Sequence, residues 1–233
     1  MAGNTIIEQY YNAGPVLHDA VKTLRTNIWF SSVDREVKTI VVTGAVPNNG
    51  KSTLTIFLGI AMAESGHRTL LVECDCRRPM LQNYLKIRPE YNLVDVLAQK
   101  TSAESAIVHT AVEMLDLLSA MALASPVEIL SSNRFNTILA EQRKHYDVIL
   151  MDTPPLSSFI EAAILASRAD GTLLVLQSGG TEIGAAQAAV AQLEKAKARI
   201  LGVVLNNVDM ATEDYYYPDY YYRDGKKKKR KEP

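Results

Sequence analysis

The sequence predicts a doubly wound α/β fold, a mostly parallel sheet with helices on both faces, and three observations lead to it. Six short apolar runs recur between residues 39 and 206. They are rich in Val, Leu and Ile and lack polar alternation, the pattern of strands buried on both faces of a parallel sheet. Between them lie stretches whose apolar residues recur at helical spacing. Size agrees, since 233 residues with 47% apolar and 22% charged side chains suit one α/β domain of ordinary composition.

Pro15 suits the first position of a helix, and Leu17, Val21, Leu24 and Ile28 follow at helical spacing. A helix over about 15–31 therefore precedes any strand. Residues 39–43 (TIVVT) form the first strand, and a loop containing Gly and Asn follows it. The next helix runs over about 51–65 and stops at Gly66, which suits a left-handed cap. Further strands are expected at 69–73 (TLLVE), 115–120, 147–152 (DVILMD), 172–177 (TLLVLQ) and 200–206 (ILGVVLN). Helices are expected near 92–108, 126–144, 159–168 and 182–197. With no internal repeat, the division is one domain over 1–214 and a tail over 215–233.

The net charge of −1 conceals an asymmetry. The tail holds seven basic and three acidic residues, a net of +4, and the other eighteen basic and twenty-three acidic residues leave the body at −5. It also carries Tyr215, Tyr216, Tyr217, Tyr220, Tyr221 and Tyr222, six of the eleven tyrosines, with almost no aliphatic residue beside them. Such a segment cannot bury a core and reads as disordered and exposed. Its basic end, Lys226 to Lys231, suits an anionic lipid surface or simply solubilises the chain. No apolar run approaches the roughly 20 residues that span a bilayer, and no signal-peptide pattern opens the sequence, so a cytoplasmic chain is expected. Cys74 and Cys76 are too close for an easy disulfide and have no zinc partners, which fits a reducing compartment.

Three motifs carry chemistry. The first is Ala45-Val46-Pro47-Asn48-Asn49-Gly50-Lys51-Ser52-Thr53, between the first strand and its helix. A phosphate-binding loop needs flexible residues whose backbone N–H groups face phosphate, a lysine for the β and γ oxygens, and a hydroxyl for Mg²⁺. Gly50, Lys51 and Ser52 supply those parts, and Ala45, Asn48, Asn49 and Thr53 complete the candidate nucleotide contacts. The usual first glycine is here Ala45, with Gly44 one position earlier. The second motif is 148–155, VILMDTPP, where Asp152 ends a buried strand and can serve a nucleotide-bound Mg²⁺. The third is 70–79, LLVECDCRRP, in which Glu73 and Asp75, two residues apart, point the same way into the crevice above the sheet. An ordinary P-loop hydrolase does not need this second acidic strand end.

These three segments resemble the Walker A, A′ and B motifs of the bacterial tyrosine kinases, and the tyrosine-rich tail resembles their autophosphorylation cluster. The resemblance runs through the whole chain. It implies a P-loop kinase with ATP and Mg²⁺ as cofactors, the metal held by Ser52, Asp75 and Asp152, and catalysis by Lys51, Glu73, Asp75, Asp152 and Arg77. It also implies that tail tyrosines accept phosphate between subunits. Asp19, Lys22 and Arg25 resemble the E-x-x-R-x-x-R helix through which these kinases assemble a ring. A chain of this length resembles the Gram-positive form, activated by a membrane-spanning polysaccharide co-polymerase adaptor and reversed by a protein-tyrosine phosphatase. No specific nucleic acid is expected.

Two departures stand out. Glu73 replaces the family's first aspartate and is one methylene longer, and Lys22 makes a point-charge contact where Arg would be bidentate. If Glu73 takes the phenol proton, that extra length bears on rate more than on nucleotide binding. The competing reading is an ATPase switch of the septum-positioning or partition type. Those proteins carry another lysine in K-G-G-x-G-K-[ST], where this chain has Val46-Pro47-Asn48-Asn49-Gly50-Lys51-Ser52. Asn206 and Asn207, at the last strand's end, are equally placed to meet an adenine or to make a turn.

Overall fold

The chain runs α1 (Ile6–Tyr11), α2 (Pro15–Ser31), β1 (Thr39–Gly44), α3 (Lys51–Glu64), β2 (Thr69–Glu73), α4 (Leu81–Leu85), α5 (Leu93–Leu97), α6 (Ala103–Ala106), β3 (Ile107–His109), β4 (Leu115–Leu118), α7 (Pro126–Leu130), α8 (Asn133–Gln142), β5 (Val148–Asp152), α9 (Glu161–Ala166), β6 (Gly171–Gln177), α10 (Ile183–Lys195) and β7 (Ile200–Asn206). The computed structural model describes residues 5–33 and 35–209. The tail tyrosines lie outside them.

The strands form one sheet in the order β3-β4-β2-β5-β1-β6-β7, in which only β3 is antiparallel to its neighbour. Successive side chains of a strand face opposite ways, and the core divides accordingly. Val41, Ile149 and Met151 enter one layer with α5 to α10. Ile40, Val42 and Leu150 enter the other with α1 to α4. Burial on both faces explains why these strands read as unbroken apolar runs. The chain leaves β1 toward β2 and β4, then returns to insert β5 beside β1, so the carboxyl ends of β1, β2 and β5 converge on one crevice.

Helix ends follow local chemistry. α3 stops where foreseen: Gly66 takes φ +87° and donates its N–H to the Ala63 carbonyl at 2.9 Å. The expected helix near 92–108 is instead α5 and α6, capped by Asn92 and Ser102, and then the short strand β3. The expected helix near 126–144 breaks at Ser131 and Ser132, and Ser132 Oγ restarts it by accepting the Phe135 N–H at 3.2 Å. α1, absent from the sequence reading, carries a capping box in which Thr5 and Glu8 bond reciprocally.

Asp170 ties the start of β1 to β6. Its Oδ2 accepts the N–H groups of Lys38 at 3.0 Å and Thr39 at 2.8 Å, the Thr39 hydroxyl at 2.9 Å, and the Arg143 guanidinium. Burial works against its charge, but these donors outweigh it and hold the carboxyl below the usual aspartate range. Such an acid stabilises above its unfolded pKa and loses the contribution as pH falls through its folded one. Asp170→Asn is therefore expected to cost about 2 kcal/mol at neutral pH. Thermal melts across an acid titration should show the gap between variant and wild type closing as pH falls.

Candidate phosphoryl-transfer site

The loop from β1 to α3 is wound by left-handed residues, with φ of 64° at Asn48 and 86° at Gly50. At Gly50 the requirement is also steric, because a Cβ there would lie 2.1 Å from Asn206 Nδ2. Asn49 is fully buried and braces the loop: its Oδ1 accepts the Val46 N–H at 3.0 Å and its Nδ2 donates to Thr181 Oγ1 at 2.9 Å. Its carbonyl accepts Asn206 Nδ2 at 3.0 Å. Asn206 thus props the loop from β7, a role that neither sequence reading of it contained. The close approach in the first turn falls at Gly44, where a Cβ would sit 3.0 Å from Asn49 Oδ1, so Ala45 is tolerated one residue on. Gly50→Ala is expected to weaken nucleotide binding at least tenfold, measured by calorimetry with a non-hydrolysable analogue, with a smaller effect on the melting temperature.

Asp152 ends β5 and lies in register with Val42 of β1 and Glu73 of β2. It is 1% exposed, and neither carboxylate oxygen has a hydrogen-bond partner among the described residues. Burial pushes its pKa up to about 7, offset in part by the nearby Ser52 hydroxyl, which lies outside full hydrogen-bonding geometry, and by the Lys51 ammonium. A hard cation suits such an acid, since it supplies the missing partner and restores the charge. With Lys51 buried at the start of α3 and Ser52 next to it, these residues fit a Mg²⁺-bound nucleotide. The strand end is locked onto the loop's approach: Thr153 donates through N and Oγ1 to the Val42 carbonyl at 3.1 and 2.9 Å, and Leu156 N donates to Gly44 O at 2.9 Å.

The two acids of the third motif part company. Asp75 lines the cavity, and its Oδ1 accepts the N–H groups of Arg77 at 3.2 Å and Arg78 at 3.0 Å. Burial raises its pKa, opposed by those N–H groups and by Lys51. Glu73 does not reach the cavity wall as the spacing led one to expect. The longer side chain turns to the start of α4, where Oε2 accepts the Leu81 N–H at 2.7 Å. Its Oε1 is buried without a partner among the described residues. Burial and then the neighbouring Asp152 raise the Glu73 pKa well above the usual range.

Arg77 is held by a residue that the sequence reading missed. Its Nε and Nη2 donate to Glu161 Oε1 at 3.0 and 2.8 Å, its Nη1 donates to the Ala124 carbonyl at 2.8 Å, and the guanidinium stands 4.7 Å over the Phe159 ring. Glu161 is 1% exposed in a helix that otherwise reads AAILA. A lone charge among small apolar residues was the available signal, because a buried carboxylate needs a partner. The cavity measures about 570 Å³, within the usual range for small-molecule sites. Pro47, Asn48, Gly50, Lys51, Ser52 and Thr53 form one part of its lining. Arg77, Arg78, Met80, Tyr84, Pro155 and Phe159 continue it around Asp75.

The remaining expected residues lie elsewhere. On α2, Asp19 is half-buried, Lys22 is exposed, and Arg25 donates to the Ala61 carbonyl of α3 at 3.0 Å. Cys74 and Cys76 are free, buried thiols whose pKa values burial pushes up, Cys76 to about 12. Among the described residues, no helix is long and apolar enough to cross a membrane.

Residues 37–204 match the AAA domain family. The chain is 35% identical over 196 residues to the tyrosine-protein kinase YwqD of Bacillus subtilis (strain 168), covering 84% of this chain and 83% of that protein. It is 33% identical over 222 residues to the tyrosine-protein kinase CpsD of Streptococcus pneumoniae serotype 4 (strain ATCC BAA-334 / TIGR4), covering 94% and 92%. Among solved structures, the kinase domain of Escherichia coli tyrosine kinase ETK superposes with a TM-score of 0.80 at 28% identity, covering 87% of this chain and 80% of that one. The septum site-determining protein MinD complexed with Mg-ADP, from Pyrococcus horikoshii OT3, superposes with a TM-score of 0.61 at 25% identity, covering 72% and 70%. That second likeness covers 72% of this chain, whereas the kinases cover 84%, 94% and 87% of it. The chain belongs to the bacterial tyrosine kinases.

Proposed function

We propose that this chain is an ATP- and Mg²⁺-dependent protein-tyrosine kinase whose acceptors are its own tail tyrosines, Tyr215, Tyr216, Tyr217, Tyr220, Tyr221 and Tyr222. The observation that carries the reading is the pairing of a phosphate loop with two acidic strand ends, those of β2 and β5, which set Glu73 in register with Asp152 while Asp75 lines the cavity. Ser52, Asp152 and Asp75 are the residues that would hold Mg²⁺, which would supply charge neutralisation to a nucleotide's phosphates. Lys51 and the loop N–H groups stabilise negative charge on the transferring phosphoryl. The phenol proton passes to the acidic pair, of which Asp75 is open to the cavity and Glu73 sits behind it with a raised affinity for protons. Phosphoryl transfer through a loose transition state asks little more of this base than orientation of the hydroxyl.

Transfer between subunits of a ring built through Asp19, Lys22 and Arg25 is what the family resemblance implies. The chain would work in the cytoplasm, recruited to the membrane by a co-polymerase adaptor in capsular or exopolysaccharide synthesis and reset by a protein-tyrosine phosphatase. The test is incubation with ATP and Mg²⁺, with adaptor segment added, followed by mass spectrometry of the tail peptide. Stepwise gain of phosphate on the six tyrosines is expected, and replacing all six by Phe should remove most of it. ATP turnover with an unmodified tail would favour the switch reading.

A further inference from the structure

The two arginines of the third motif are electrostatically unlike. Arg77 is spoken for, since Glu161 takes two of its N–H groups and neutralises its charge, and Ala124 takes another. Arg78 lines the same cavity and is exposed, and among the described residues its guanidinium enters no hydrogen bond or ion pair, although its charge acts on Asp75 across the lining. Its backbone N–H is anchored to Asp75 Oδ1 at 3.0 Å, which fixes where the side chain leaves the loop, next to the acid that faces the reaction. Met80, Tyr84 and Phe159 give this part of the lining an apolar and aromatic character that suits a phenol ring.

The tyrosine-rich segment has the complementary composition. The tail as a whole is basic, but residues 213–224 hold Glu213, Asp214, Asp219 and Asp224 against Arg223 alone, a net of −3. Glu213 and Asp214 directly precede the first tyrosine triplet, and Asp219 directly precedes the second. A carboxylate thus adjoins each triplet. We propose that Arg78 is the specificity-determining residue of the acceptor site, pairing with a carboxylate beside the acceptor tyrosine, so that the substrate class is an acidic tyrosine peptide. The planar fork of Arg78 suits a carboxylate, and opposite charge both speeds encounter and sets register. This rests on the reading of the tail tyrosines as acceptors.

The experiment presents the full-length chain, in the presence of ATP and Mg²⁺, with three synthetic peptides spanning residues 211–224. One has the native sequence, one has the four acids replaced by their amides, and one has them replaced by Lys. Phosphotyrosine is quantified by mass spectrometry, and nucleotide affinity is measured alongside for every variant. Wild type is expected to prefer the acidic over the amide peptide about fivefold in kcat/KM, the upper end of what a solvent-exposed ion pair contributes. Arg78→Gln should bring that ratio toward one, mainly through the peptide KM, and Arg78→Glu should turn the preference toward the Lys peptide. A wild type that uses the acidic and amide peptides equally overturns the proposal and leaves the kinase reading standing. So does an Arg78→Gln that loses both peptides equally while binding nucleotide more weakly, since that assigns Arg78 to the phosphates. A wild type that modifies neither its own tail nor any peptide, with adaptor segment present, overturns the acceptor reading and this proposal with it.

Discussion

Lys51→Met is expected to lower tyrosine phosphorylation about a hundredfold to a thousandfold while the protein remains folded, the loss seen when one preorganised electrostatic group is removed from a transition state. The physical basis is the position of the side chain. Lys51 opens α3 and is 8% exposed, and its ammonium acts on both Asp75 and Asp152. Met keeps the length and apolar stem of the side chain, so packing is conserved and only the charge is lost. Phosphotyrosine is read by mass spectrometry and the fold by thermal melting, with a shift of no more than a few degrees expected. Phosphotyrosine at the wild-type level would sink the assignment of Lys51 to the transferring phosphate.

Arg77→Met acts on the fold as well as on the reaction. It leaves Glu161 with no partner on either oxygen among the described residues, because Oε1 bonds only Arg77 and Oε2 has none. Removing one member of a buried pair costs about 3–5 kcal/mol. The Arg77 side chain is 28% exposed, which places the expected cost nearer 2–3 kcal/mol. In a chain of this size that is a fall of roughly 5–10 °C in melting temperature. The double variant Arg77→Met/Glu161→Leu removes the stranded carboxylate too and should recover most of the stability. Its activity should not recover, since the brace that joins Asp75, Arg77 and Phe159 is gone. Equal melting temperatures for the single and double variants would show that Glu161 is solvated once Arg77 leaves.

Much of this architecture can be read along the chain for a simple reason. β1, β2, β5 and β6 lie within a residue or two of their expected positions because strands buried on both faces must be apolar throughout, and no other element of five to seven residues has to be. β7 lies where its apolar run places it too, but it ends the sheet and leaves Val203 and Leu205 exposed, so burial on both faces, expected of it from the sequence, does not hold there. Gly66 and Pro15 mark helix ends through their own backbone preferences, which need no partner elsewhere. The short elements were misread where side-chain caps overrule periodicity. Ser132 restarts a helix that apolar spacing carries straight through, and the three residues of β3 hold no period long enough to recognise.

The candidate site divides along the same line. Gly50, Lys51, Ser52, Asp75 and Asp152 can be named as candidates along the chain because a phosphate loop and a strand-end acid are local devices, each complete within a few residues. Fold class, candidate phosphate loop and acidic motifs can all be read along the chain. Tertiary packing settles that Asn206 props Asn49, that Glu161 neutralises Arg77 while the Arg78 guanidinium has no ion pair or hydrogen bond among the described residues, and that Glu73 turns toward α4 while Asp75 faces the cavity. Each of these depends on which strands and helices become neighbours, above all on β5 inserting between β2 and β1. Strand order is set by how apolar faces are buried together across the whole chain, and a side chain's partner 84 or 157 positions away leaves no period in the sequence around it.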